Sequence, residues 1–274
     1  MDESIIYYSG PRFDRSGATL HRMLVAKAWC TKRNLKYIGC PIRPDDNETR
    51  KLLKFLNIEN TYCWWWISRD QEKNKDKSKY QHIPHINLYT EEENFTPDVV
   101  NKITSNFNYT FNEIYQKKFF TITIHIRRGD VSIRNGCPHD GQSRYTYNKY
   151  YKDILQKALD ELKNHSIHVV INICSQSESS ESFDEFKEFE CNDCSVNIYL
   201  DTELKDVFNY MIHADIFIMA KSSFSFVSAI YNKRCIVYEP FWHKKLNHWL
   251  DSTEEDFDEQ LKQEIKNLIE KYHA

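Results

Sequence analysis

The sequence predicts an α/β protein whose second half is a Rossmann-like lobe. Two observations carry this. From residue 119 onward, short apolar, β-branched runs alternate with amphipathic stretches, and two of those runs end abruptly in charged or polar residues. Strands that alternate with helices imply a parallel sheet covered on both faces, because parallel neighbours need a crossover between them. Ligands of such sheets bind outside the carboxyl ends of the strands, which is where the polar residues fall.

The chain has 274 residues, 41% of them hydrophobic, enough for two lobes with their own cores. Ile5 to Ser9 reads as a first strand, and Gly10 to Gly17 as a polar loop with a glycine at each end. Thr19 is expected to cap a helix carrying Leu20, Met23, Leu24 and Ala28 at helical spacing, Asn34 suits its end, and Leu35 to Cys40 reads as the next strand. Leu52, Leu53, Phe55 and Leu56 mark a second helix. Trp64, Trp65 and Trp66 follow, read as core or lobe interface, with a platform for stacking sugar rings as the alternative. The run from 69 to 79 is almost wholly polar and reads as a solvated loop. From Pro97 a long helix is expected, with Val100, Ile103, Phe107, Phe111 and Ile114 on one face. The lobe boundary is placed near residue 115.

Beyond that boundary the pattern predicts strands at 119–126, 167–174, 195–200, 215–219 and 234–238, with helices at about 146–163, 182–190, 203–213 and 223–231 between them. This gives a lobe over 116–250. The remaining segment, 251–274, carries Leu261, Ile265, Leu268 and Ile269 as a stripe suited to a helix packing back on the lobes.

Charge sharpens the reading. The net charge of −3 and pI near 6.4 give no general attraction to nucleic acid or anionic membranes, so any basic site is local. The first strand of the second lobe runs Phe119 to Ile126 and ends in Arg127, Arg128, Gly129 and Asp130. Paired arginines suit phosphate oxygens, which accept hydrogen bonds in pairs. The run from Asp215 to Ala220 ends at Ser222, Ser223 and Ser225, at the mouth of the next helix, where unpaired amides and hydroxyls favour an anion. Taken alone, Ser222 reads as an N-cap. Two anion-binding devices on one sheet edge read better as the two sides of a diphosphate site.

Three smaller signals receive plain readings. Arg128-Gly129-Asp130 spells an adhesion tripeptide but leaves a buried strand. Cys191 and Cys194 have zinc or redox spacing with no second pair nearby, and Asp256 and Asp258 sit at an acidic helix start, so no metal site is assigned. The eight cysteines fit reduced thiols, and no apolar run of membrane-spanning length or export signal is found, so a soluble, cytoplasmic protein is expected.

His125-Ile126-Arg127-Arg128-Gly129-Asp130 resembles the HxRRxD signature of the fucosyltransferase superfamily that includes the α-1,2-, α-1,6- and protein O-fucosyltransferases. The segment Ala214 to Ala229 with its SSFSF core, the run Cys235 to Trp242, and the loop before LHRML are similar to further motifs of that superfamily. The resemblance implies a GT-B-like fold, two Rossmann-like lobes with a ligand cleft between them, the first lobe on the acceptor side. It implies inverting transfer without a metal or cofactor, from a nucleotide-sugar donor, GDP-fucose, to a glycan acceptor. Another donor such as UDP-xylose, or binding without turnover, are the alternatives.

Carried over, Arg127 would bind the donor's β-phosphate, with Arg128 and Asp130 positioning it. His125 and Asp215 would lie near the nucleobase, and Ser222, Ser223 and Ser225 near the phosphates. Where the α-1,6 branch has a glutamate this chain has Asn135, so the proton acceptor is left among Asp14, Asp130, His139 and Asp140, or no strong base is used.

Overall fold

The computed structural model describes residues 5–10, 16–43, 45–58, 80–83, 91–109, 119–131, 144–177 and 182–272. The chain forms two compact units, one ending at Tyr109 and the other beginning at Thr110.

In the first unit β1 (Ile6–Tyr8), β2 (Lys36–Tyr37) and β3 (Tyr80–His82) form a parallel sheet in the order β2-β1-β3. Helix α1 (Ser16–Lys32) connects the first two strands and buries Leu20, Met23, Leu24, Val25, Ala26 and Ala28. Thr19, expected as the cap, lies inside this helix, which starts a turn earlier. Helix α2 (Asn47–Phe55) is capped by Asp46, whose carboxylate accepts from the amide and the hydroxyl of Thr49 at 3.0 and 2.6 Å.

Both helices stop the same way. Asn34 and Asn57 take φ of 55° and 51°. Leu35 and Ile58 then donate their amides to Cys30 and Leu53 at 2.9 Å, closing the last turn in a Schellman arrangement. The chain has only 6 glycines, and asparagine, which tolerates the left-handed region better than most residues, takes these positions. The helices α3 (Glu91–Asn94) and α4 (Pro97–Thr104) complete the unit, α4 starting at the favoured N1 proline. The long helix expected from Pro97 ends at Thr104, because Ser105, Asn106 and Asn108 favour turns over helix; Phe107 still packs inward, edge-on to Phe55 at 5.4 Å. Phe111, Ile114, the three tryptophans and the polar run from 69 to 79 lie outside the described residues.

The second unit is a six-stranded, all-parallel sheet. Its strands are β4 (Phe119–His125), β5 (His168–Ser175), β6 (Cys194–Leu200), β7 (Ile216–Ile218), β8 (Cys235–Tyr238) and β9 (Leu250–Asp251), in the order β6-β5-β4-β7-β8-β9. The chain thus winds outward from β4 in one direction, returns, and winds outward in the other. This is the Rossmann order, and the reversal opens a crevice between the carboxyl ends of β4 and β7.

The helices are α5 (Asn148–Leu162), α6 (Leu204–His213), α7 (Ser223–Tyr231) and α8 (Phe257–Tyr272). Phe120, Ile122 and Ile124 of β4 pack in one cluster with Tyr151, Ile154, Leu155 and Ala158 of α5 and Leu261, Ile265 and Ile269 of α8. Of the alternate residues, Thr123 and His125 meet the other helices: the Thr123 hydroxyl donates to the Tyr210 carbonyl of α6, and His125 bonds Ser225 of α7. The strand is therefore buried on both faces, as its continuous β-branched run predicts. The helix expected at 182–190 is a 3-10 helix, Asp184–Phe189. Phe183, Phe186 and Phe189 recur every three residues, the repeat of that tighter helix, and all three pack inward.

Asp215 precedes β7 at the amino edge of the sheet. Its carboxylate accepts from the Thr121 amide and hydroxyl at 2.8 and 2.9 Å and pairs with Arg234 at 2.7 Å, tying the start of β7 to β4. Burial pushes its pKa up against the pull of Arg234 and Thr121. Asp215→Ala leaves those donors without their acceptor, and urea denaturation of this variant should show a loss of about 1–3 kcal/mol.

Candidate active site at the crevice between β4 and β7

The strand β4 hands over to its loop in a fixed way. The Ile126 amide donates to Cys174 at 2.9 Å and the Ser175 hydroxyl donates to the Ile126 carbonyl at 2.8 Å, so the chain leaves the sheet at Arg127. Gly129 turns the loop with φ +81°, and a Cβ placed there would meet the Gln176 side-chain oxygen at 2.5 Å. Only glycine fits this position without a shift. The turn carries Asp130 back to Arg127, and the two pair at 3.0 Å with side chains 18% and 30% exposed. Arg127 is thus aimed by Asp130 and retains a surface toward the crevice.

Arg128 has a different place. It is almost fully buried, stacked over the Tyr145 ring at 4.2 Å, and it donates to the carbonyls of Arg127 and Thr146 and to Asn148 at 2.9, 3.1 and 2.7 Å. It anchors the loop to the start of α5.

Across the crevice, β7 leads through Ala220 and Lys221 into α7. Ser222 is the N-cap, accepting from the Phe224 amide at 3.2 Å. The Ser223 hydroxyl bonds His243 at 2.8 Å, and the Ser225 hydroxyl accepts from the Ala220 amide at 3.3 Å and meets Nδ1 of His125 at 2.5 Å. All three serine side chains are buried and serve the loop's own geometry, so what the helix start offers an anion is its first-turn amides and its dipole.

The structure separates residues that the sequence groups at one site. Arg127, Asp130, the start of α7 and His125 share the carboxyl edge. Asp215, expected near a nucleobase, sits at the opposite edge in the pairing with Thr121 and Arg234. Asp14, His139, Asp140 and Asn135 lie outside the described residues.

Two residues at this edge were not singled out from sequence. Lys221, whose carbonyl accepts from Arg127 at 3.4 Å, pairs with Glu239 at 2.8 Å, and the second Glu239 oxygen accepts from the Thr146 hydroxyl at 2.6 Å. Both follow apolar strands, Lys221 after β7 and Glu239 after β8, which is the signal that pointed to Arg127. Among the described residues, no group of three or more His, Cys, Asp or Glu side chains is placed to hold a metal ion, and no helix is long and apolar enough to cross a membrane.

Together, the strand order and the charged edge define the second unit as a Rossmann-type α/β lobe with a basic crevice at its switch point. No family model matches this sequence, and no curated protein matches it. Among solved structures, the chain is similar to a glycosyltransferase family 9 protein from Veillonella parvula, at 11% identity, covering 99% of this chain and 98% of that one, with a TM-score of 0.49. It is also similar to the iron-containing dodecameric glycosyltransferase TibC from enterotoxigenic E. coli, at 9% identity, covering 98% and 76%, with a TM-score of 0.42. A structure of POFUT1 in complex with GDP-fucose matches at 11% identity, covering 85% and 71%, with a TM-score of 0.29.

His125 makes one property of the site measurable. Burial, and then the charge of Arg127, push its pKa down to about 3, and burial with Arg234 pushes His213 down to about 4. Both stay neutral in the fold, whereas an unfolded histidine titrates near 6.5. The stability they contribute is complete above pH 6.5 and is lost as pH falls through the folded values. Unfolding free energy should therefore drop below pH 6.5, and His125→Asn, which keeps a polar group beside Ser225, should flatten that slope by up to about 1.4 kcal/mol per pH unit.

Proposed function

We propose that this protein is an inverting glycosyltransferase whose nucleotide-sugar donor places its diphosphate in the crevice between β4 and β7. One observation carries the reading: Arg127, held by Asp130, and the start of α7 face the same switch point from its two sides. The motif from His125 to Asp130 and the SSFSF segment, both similar to those of the fucosyltransferases, make GDP-fucose the proposed donor and a glycan hydroxyl the proposed acceptor.

In the proposed step the acceptor oxygen attacks the anomeric carbon from the side opposite the diphosphate. The bond from that carbon to the β-phosphate oxygen breaks, its electron pair stays on the diphosphate, and the sugar's configuration inverts. Negative charge grows on the β-phosphate, where the preorganised Arg127 guanidinium and the α7 amides stabilise it. Asp130 is committed to Arg127 and serves as its positioning partner. Asp14, His139 and Asp140 stay as candidates to receive the acceptor's proton. Protein cations supply the charge stabilisation, so transfer is proposed to be independent of a metal.

Calorimetry with GDP, UDP, GDP-fucose and UDP-sugars tests the reading, together with transfer assays. GDP and GDP-fucose are expected to bind, Arg127→Ala to lower turnover by about 10²–10³-fold, and activity to survive a chelator. Binding of UDP-sugars alone would move the donor to another sugar within the same class. A protein that binds no nucleotide would overturn the proposal.

A further inference from the structure

Five residues close a hydrogen-bonded ring across the switch point. Arg128 donates to the Arg127 carbonyl and to the Thr146 carbonyl, Thr146 donates to Glu239, Lys221 pairs with Glu239, and Arg127 donates to the Lys221 carbonyl. The ring and Asp130 bring three cations against two carboxylates, with the Lys221 and Glu239 side chains each only 16% exposed. Concentrated positive charge with little access to water favours an anion. Arg128 is enclosed by its own partners, which leaves Arg127 and Lys221 as the cations nearest the start of α7.

We infer that Lys221 is a second ligand for the donor's diphosphate, held in place by Glu239 as its positioning residue, and that it makes the site select nucleoside diphosphates over monophosphates. The inference rests on the nucleotide-sugar reading. Lys221 immediately precedes the N-cap Ser222, so its chain leaves the backbone where the helix amides favour negative charge. An ammonium carries three N–H donors, so one engaged with Glu239 also donates to phosphate oxygens. Glu239, fixed by Thr146, keeps the flexible lysine stem from collapsing onto solvent. With Arg127 on one phosphate oxygen and Lys221 on another, a ligand with a single phosphate satisfies only one of the two cations.

Calorimetry of GDP, UDP, GMP and UMP on the wild type, on Lys221→Met and on the double variant Lys221→Met/Glu239→Gln tests this. The double variant removes one charge of each sign, leaving net charge unchanged and no lone carboxylate, so it separates a direct contact from a general field and from a folding defect. Wild type is expected to prefer the diphosphate, and both variants to lose about 10- to 100-fold in diphosphate affinity while monophosphate affinity changes less than about threefold. A diphosphate preference unchanged in the folded double variant overturns the role of Lys221 and leaves the nucleotide-sugar reading standing. A wild-type protein that binds none of the four nucleotides overturns both.

Discussion

The crevice depends on the closed ring of hydrogen bonds that joins Arg127, Arg128, Thr146, Glu239 and Lys221. These residues come from the loop after β4, the entry to α5, the end of β8 and the turn into α7. Without a common constraint, four such segments would each be free to move, as loops at sheet edges do. Arg128 is the pivot, since its buried guanidinium bonds two loops at once and stacks on Tyr145. A buried guanidinium is tolerated only when its donors are met, and meeting them here fixes the direction in which Arg127 leaves the strand.

The sheet beneath supports the ring with an unusual interior. One face of β4 is apolar and packs against α5 and α8. The other carries Thr121, Thr123 and His125, and Thr123 stands in register with Asn172 of β5 and Asn197 of β6. The Asn197 amide donates to Asn172 at 3.3 Å, Asn172 to Thr123 at 3.5 Å, and Thr123 to the Tyr210 carbonyl at 3.1 Å. Each polar group in this row has a partner, so the row specifies register between three strands and α6. Two residues further along β4, at the site edge, the contact of His125 with Ser225 couples the strand to the helix start across the crevice.

Much of the second unit was legible in the sequence because its signals are local. β-branched runs ending in charge gave β4 and β7, and the stripe of Leu261, Ile265 and Ile269 gave α8. What escaped depends on contacts distant in sequence. The spacing of Phe183, Phe186 and Phe189 fits a 3-10 repeat as well as an α-helix, and β9 is two residues long and held by pairing with β8. Asp215 shows the same limit at the site. Its place before a strand is visible in the sequence, but only the parallel register, Ile122 against Ile216, puts it beside Thr121 at the far edge from Arg127. A hydroxyl at a helix start serves an anion or the chain itself equally well in one dimension, so only the contacts of Ser222, Ser223 and Ser225 separate the two roles. Lys221 and Glu239 give a fainter form of the Arg127 signal, each a single charge after an apolar strand, while Arg127 and Arg128 stand together.

The most direct test of the account is a crystal structure of the protein with bound GDP. The account predicts the diphosphate between the Arg127 guanidinium and the first-turn amides of α7. A diphosphate bound elsewhere, touching neither the Arg127 guanidinium nor the start of α7, would contradict it.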